Sequence, residues 1–178
     1  MTVSSNPKLD TFYLLYFLIH IPITVLVDSA LVIPPAYRLA IQTKVLNFHI
    51  SENKDFILLL APSWLKVAGF VELIFQLPVF FIGIYALWND IKKFYPLLMT
   101  YGFNASLTTL FCLYDIYIYN NGSSDLLGFT ITQSDRLKLF WVYFPTFLIP
   151  LVMFIDLTIR ITKMLSNYQE LQSQKKEN

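Results

Sequence analysis

Two carboxylic side chains stand nearly alone in long apolar stretches of this sequence: Asp28, within FYLLYFLIHIPITVLVDSALVI, and Glu72, within the run from Trp64 to Trp88. An ionisable group near the centre of a membrane helix costs about 2.5–3.5 kcal/mol on the translocon scale, so such groups usually face a bundle interior and have a task there. Two carboxyls that meet in a low-dielectric interior cannot both stay ionised, and the pair then carries about one negative charge. That is the chemistry of a cation site. A protonated amine between them gains a charge-assisted hydrogen bond, and rings such as Tyr143, Phe75 or Trp141 add cation–π attraction. The competing role is structural: both groups protonated, or bonded to hydroxyls such as Thr24, Thr108 or Thr109, joining helix to helix.

For the two acids to meet, their stretches must be antiparallel membrane helices, and the composition supports this. The chain has 178 residues, 56% hydrophobic and only 14% charged, too apolar for an ordinary soluble domain. Thirteen Lys plus Arg against twelve Asp plus Glu leave a net charge of +1, which gives nucleic acid no electrostatic footing. One cysteine, Cys112, and two histidines, His20 and His49, supply neither a disulfide nor a structural zinc site, and no motif calls for a cofactor.

The hydropathy pattern predicts an all-α membrane protein: a four-transmembrane-helix bundle with proline-kinked helices, spanning about 12–33, 64–88, 94–119 and 137–162. The first span reads as an anchor and not a cleaved signal peptide, whose apolar core is about 7–15 residues with a small-residue cleavage site. If span one enters near Phe12, Asp28 lies sixteen residues in, about 24 Å of a core about 30 Å thick. Glu72 lies eight residues into the returning span, about 12 Å from the opposite face, so the two depths agree to within a helical turn. Pro22, Pro78, Pro145 and Pro150 fall inside spans and free the carbonyls of Leu18, Ile74, Trp141 and Thr146, making either kinks or a cavity. Asp156 and Arg160, four apart, are placed to pair near one membrane face.

Residues 34–63, 89–93 and 120–136 connect the spans, and AYRLAIQTKVLNF in the first connection reads as helix lying on a membrane surface. Residues 1–10 and 165–178 form tails on one side. That side carries seven cations (Lys8, Lys92, Lys93, Arg160, Lys163, Lys175, Lys176) against six on the other, a slight bias toward cytosolic termini. Lys175 and Lys176, fourth and third from the end, have the dilysine spacing of an endoplasmic-reticulum retrieval signal, or form a lysine-rich soluble tail. Two glycosylation sequons occur: Asn104-Ala-Ser106, inside span three and so unused, and Asn121-Gly-Ser123 on the lumenal side.

The ordered strings His20-Ile21-Pro22-Ile23-Thr24 with Asp28, Lys54-Asp55, Pro62-Ser63-Trp64-Leu65-Lys66, Glu72-Leu73, Phe75-Gln76-Leu77-Pro78, Tyr143-Phe144-Pro145 and Leu148-Ile149-Pro150 resemble the sigma-2 receptor family. That family belongs to the EXPERA-domain membrane proteins, which include the sterol isomerase emopamil-binding protein, and the resemblance covers roughly residues 11–164. It implies an endoplasmic-reticulum protein, often a homodimer, whose cavity opens sideways to membrane lipid and takes sterols and cationic amphiphilic amines. By resemblance Asp28 pairs with the ligand amine, Glu72 is its carboxyl neighbour and Asp55 braces the pocket from the lumenal side. His20, Gln76, Thr109, Val142 and Tyr143 fall on lining positions, while Thr146 stands where animal relatives have tyrosine.

Three functions follow as expectations. The first is a receptor or binding protein for sterols and hydrophobic amines, with a role in intracellular sterol handling. The second is an interaction factor, since fungal-type relatives resemble a factor assisting mitochondrial precursor proteins and animal relatives are linked to a sterol transporter. The third is a sterol isomerase, which the sequence disfavours: in the isomerase branch a glutamate follows the span-one histidine by four residues, and here that position is Thr24. Asp28 lies about 12 Å along the helix from His20, beyond hydrogen-bond reach. His20 by itself reads as a satisfied polar residue in the bundle.

Overall fold

A computed structural model of the chain describes residues 6–119 and 128–177, and these are helical with no strand among them. The sequon at Asn121 lies outside the described residues. Helix α1 (Pro7–Ile23) begins as its residues dictate: Asn6 caps it by accepting from the Leu9 amide, and Pro7 sits in the first turn where no amide is missed. The helix widens to a π-turn at Thr24–Asp28 and closes as α2 (Ser29–Val32). A connection holding α3 (Ala40–Asn53) and α4 (Phe56–Leu60) leads to α5 (Ser63–Val71), a second π-turn at Glu72–Gln76, and α6 (Leu77–Trp88). Helix α7 (Tyr95–Ile118) and the 45-residue α8 (Gln133–Glu177) complete the chain.

Three continuous helices among the described residues are long and apolar enough to cross a membrane: Pro7–Val32, Ser63–Trp88 and Gln133–Lys176. The 24-residue α7 is long enough, but Asn104, Asp115 and its hydroxyls make it more polar. Phe12, Ile19, Phe70, Phe81, Val152 and Ile155 are among the large apolar side chains these three helices expose, the surface hydrocarbon would cover. At about 1.5 Å per residue α8 is about 67 Å long, about twice the hydrocarbon thickness, and Lys175 and Lys176 are exposed on its last turn.

Irregular turns are found beside two of the four prolines expected to kink their helices. They fall beside Pro22 and Pro78, as π-turns containing Asp28 and Glu72 themselves, whereas α8 stays helical through both Pro145 and Pro150. Local chemistry accounts for part of this. The Thr146 carbonyl that Pro150 cannot serve accepts from the Thr109 hydroxyl at 3.4 Å. At the first π-turn, the Gln42 side-chain amide donates to the Val25 carbonyl (3.0 Å) and to Ser29 Oγ (2.8 Å), while its oxygen accepts from the Leu39 amide (2.9 Å). Gln42 thereby seats α3 on the turn, with Leu46 buried one turn further along the same face. The connection is thus helical as expected, but one polar side chain anchors it to the bundle.

Two dry clusters hold the helices together. One gathers Tyr13, Phe17, Phe80, Leu98, Tyr101 and Met153 towards the end of the bundle where the termini lie. The other gathers Ala30, Phe56, Ile57, Leu65, Ile116 and Leu139 at the opposite end. Helices α7 and α8 make the most extensive pair, and Gly102 permits it: a Cβ there would stand 2.7 Å from the Pro150 carbonyl oxygen and 2.9 Å from the Phe154 amide nitrogen. Both clashes are with backbone, so only glycine lets the helices approach this closely.

Arg160 is 5% exposed and donates to Asp10 at 2.6 Å, with Asp156 at 2.8 Å and the Tyr95 ring 5.8 Å away. Tyr13 Oη completes the cluster, 3.4 Å from Asp156. The pairing of Asp156 with Arg160 matches the four-residue spacing; the addition of Asp10 from α1 makes it a clamp between the first and last helices.

Candidate functional site

Between the two dry clusters, each of the four long helical segments turns a polar stretch inward, and there a cavity of about 280 Å³ opens. That lies near the lower end of small-molecule sites, about 300–1,000 Å³. Asp28 and Glu72 both line it. Their carboxyls lie close enough to interact, and Thr24, fully buried, donates its hydroxyl to Glu72 Oε1 at 2.6 Å. The π-turns produce this meeting. A π-turn inserts one residue into the helical ladder and redirects the side chains on it. Both acids sit on such turns, facing each other across α1 and α5–α6.

Among the described residues no lysine, arginine or histidine pairs with Asp28 or Glu72. The hydroxyl role read for Thr24 is realised, but the other two hydroxyls bond elsewhere: Thr108 to the carbonyls of Asn104 and Ala105, and Thr109 to those of Ala105 and Thr146. No cluster of His, Cys, Asp and Glu among the described residues has the form of a metal site.

The remaining predicted residues divide clearly. His20, Gln76, Thr109, Val142 and Tyr143 line the cavity together with the acids. Val142, 36% exposed, and Ile23, 40% exposed, line it from the outer apolar surface of α8 and α1 and so form a rim between those helices. Asp55 does not line it. Fully buried as the cap of α4, it accepts from the Leu58 amide (2.9 Å) and from Tyr143 Oη (2.7 Å), and His49 Nε2 lies 3.2 Å away. Its three donors make it a brace that fixes Tyr143 and His49 in the cavity wall. Of the three rings proposed to face a cation, Tyr143 lines the cavity. Phe75 instead packs against the first apolar cluster, and Trp141 is exposed beside Phe140 and Phe144.

The sequence reading missed several wall residues. His49, Tyr16 and Cys112 line the cavity. His49 comes from the connection, where no apolar span marks it; its spacing to Asp55 across the end of α3 was the available signal. His20 departs from the satisfied residue expected. It stacks on Tyr16 (ring centroids 4.9 Å apart) and lies edge-on to Phe80, with no hydrogen bond to its ring among the described residues.

A cavity between apolar helices, walled by rings and lined by two acids that no Lys, Arg or His among the described residues pairs with, is a candidate binding site inside a membrane protein. Residues 41–157 match EBP: EXPERA (EXPanded EBP superfamily). The chain is 41% identical over 150 residues to Efficient mitochondria targeting-associated protein 19 of Saccharomyces cerevisiae, an alignment covering 79% of this chain and 91% of that protein. It is 34% identical over 145 residues to Sigma intracellular receptor 2 of Homo sapiens, covering 79% and 82%. To Sigma intracellular receptor 2 of Xenopus tropicalis it is 29% identical over 150 residues, covering 84% and 87%. The chain belongs to the EXPERA family, with sigma-2-receptor-like relatives. The matched region contains Glu72, Gln76, Thr109, Val142 and Tyr143, while His20 and Asp28 precede it.

Proposed function

We propose that the chain is a binding protein of the endoplasmic-reticulum membrane for sterols and cationic amphiphilic amines, with a role in intracellular sterol handling. The observation that carries the reading is the carboxyl pair without a cation at the wall of a cavity between membrane-crossing helices. Sharing one proton and about one negative charge, Asp28 and Glu72 together hold a ligand ammonium. Tyr143, fixed by Asp55, offers its ring to the same cation. The apolar part of the ligand lies along Ile23 and Val142 and leaves between α1 and α8 into lipid, so the cavity loads from the bilayer. Relatives named as receptors support this reading.

In this proposal α7 is the third of four crossings, both termini face the cytosol, Lys175 and Lys176 serve retrieval, and two copies associate. Equilibrium binding of a hydrophobic tertiary amine to the purified chain in lipid nanodiscs tests the site. Saturable binding weakened in both Asp28→Asn and Glu72→Gln is the expected result; unchanged affinity in both variants removes the acids from the mechanism.

A second reading rests on the relative named for efficient mitochondria targeting. Here the exposed tyrosines of α7, such as Tyr114 and Tyr117, contact a precursor or membrane protein, although tyrosines at a membrane interface also serve as anchors. Reproducible capture of a protein partner that survives Asp28→Asn supports it, and capture of lipid alone opposes it. Isomerase chemistry has weaker support, because the turn after His20 presents Thr24 and not a second acid. Conversion of a Δ8 sterol by the purified chain would reinstate it.

A further inference from the structure

His20 is a polar side chain in the cavity wall with no partner of its own. It lines the cavity, packed between the faces of Tyr16 and Phe80, and no hydrogen bond reaches its ring among the described residues. A polar ring that faces a cavity with both nitrogens unpaired is free to bond a polar group that enters it. Its position names the complement. Thr24 meets Glu72, and α1 and α5–α6 run antiparallel, so one turn along each brings His20 and Gln76 to the next layer of the wall. The Gln76 amide nitrogen is held by Asn104 Oδ1 at 2.9 Å, while no donor is recorded at its carbonyl oxygen among the described residues. Neutral imidazole offers one donor and one acceptor, and Gln76 adds a second acceptor. This layer carries no formal charge.

We propose that His20 and Gln76 form a second subsite that takes the hydroxyl of a sterol-like alcohol, separate from the acidic subsite that takes an ammonium. The inference rests on the reading that the cavity binds amphiphiles. A hydroxyl here gives its hydrogen to Gln76 or to one imidazole nitrogen and receives a hydrogen from the other nitrogen, so both sides are satisfied. An ammonium here meets no counter-charge. His20 lies about 12 Å along its helix from Asp28, and Gln76 about 6 Å from Glu72, so a single small polar group cannot reach both Asp28 and His20. Neutral alcohols and cationic amines therefore anchor in different layers of one cavity and exclude each other through the space they share.

The test uses the full chain in nanodiscs, with dehydroergosterol as a fluorescent 3β-hydroxysterol and a hydrophobic tertiary amine as the cation. In wild-type protein cholestanol displaces dehydroergosterol about tenfold better than 5α-cholestane, its deoxy analogue, a ratio fitting one buried hydrogen-bonded group. In His20→Phe that preference shrinks to about twofold, and the ratio of sterol to amine affinity falls; in Asp28→Asn the same ratio rises. Equal displacement by cholestanol and cholestane in the wild type overturns the inference without any variant needing to fold, and so does a tenfold preference retained in His20→Phe. If the amine binds while the sterol discrimination is missing, only the second subsite falls. If neither ligand binds, the amphiphile reading falls and takes this inference with it.

Discussion

The inward-facing acids of this protein are treated in two ways. At the end of the bundle near the termini, Asp10 and Asp156 share Arg160, and the three are enclosed by Tyr13 and Tyr95. In the middle, Asp28 and Glu72 have each other, one threonine hydroxyl and a cavity. The residue types match and the surroundings do not. Where the fold supplies the cation, the charge clamps α1 to α8 and the space is filled. Where it supplies none, charge balance is left to whatever enters the cavity. Asp55 lies between these cases: buried and without an arginine, it is satisfied by three donors and so supports the wall instead of the ligand.

This contrast can be broken by mutation, and the largest effect belongs to the clamp. Arg160→Met leaves the buried Asp10 and the partly exposed Asp156 without their cation and should lower stability by about 3 kcal/mol, read by denaturation in detergent, while the folded fraction keeps its amine affinity. A variant as stable as wild type would show that the clamp is incidental. Asp28→Asn should do the opposite: amine binding weakens by about 2–5 kcal/mol, roughly thirtyfold or more, and stability stays level or rises because the fold no longer holds an uncompensated acid. A large loss of stability in Asp28→Asn would move the pair into the structural class.

Gly102→Val drives a side chain into the backbone of α8 and should cost about 1–3 kcal/mol in stability. Because Thr109 and Thr146 meet across the same interface, the variant should also loosen the cavity wall, seen as faster amine dissociation. Lys54→Ala has the smallest expected effect. Its ion pair with Asp135, 2.7 Å long, is solvent-screened, so stability should change little and amine affinity not at all. A tenfold loss of affinity would instead attach the Lys54–Asp135 strap to the ligand site.

Hydropathy made the three most apolar helices legible, and depth counting from Phe12 and Trp64 was enough to set Asp28 beside Glu72, because rise per residue is nearly constant in a helix. The π-turns were not legible. Proline marks where a helix can yield, but the form it takes depends on Gln42 reaching the Val25 carbonyl from seventeen residues away. The Asp10–Arg160 contact joins residues 150 apart, and periodicity within one helix carries no information about it. His49 was hidden for a similar reason: a polar residue in a connection enters the wall only because Asp55 draws it there. The lone state of His20 depended on what its neighbours chose to bond, which spacing does not specify.

The central claim is that the Asp28–Glu72 pair receives a cation. A structure of the chain with a hydrophobic tertiary amine bound tests this most directly. The amine nitrogen is expected in the cavity, about 2.7–2.9 Å from a carboxyl oxygen of Asp28 or Glu72, with the ligand's apolar end passing Ile23 and Val142. An amine bound on the outer helical surface, or in the cavity with its nitrogen turned away from both acids, would contradict it.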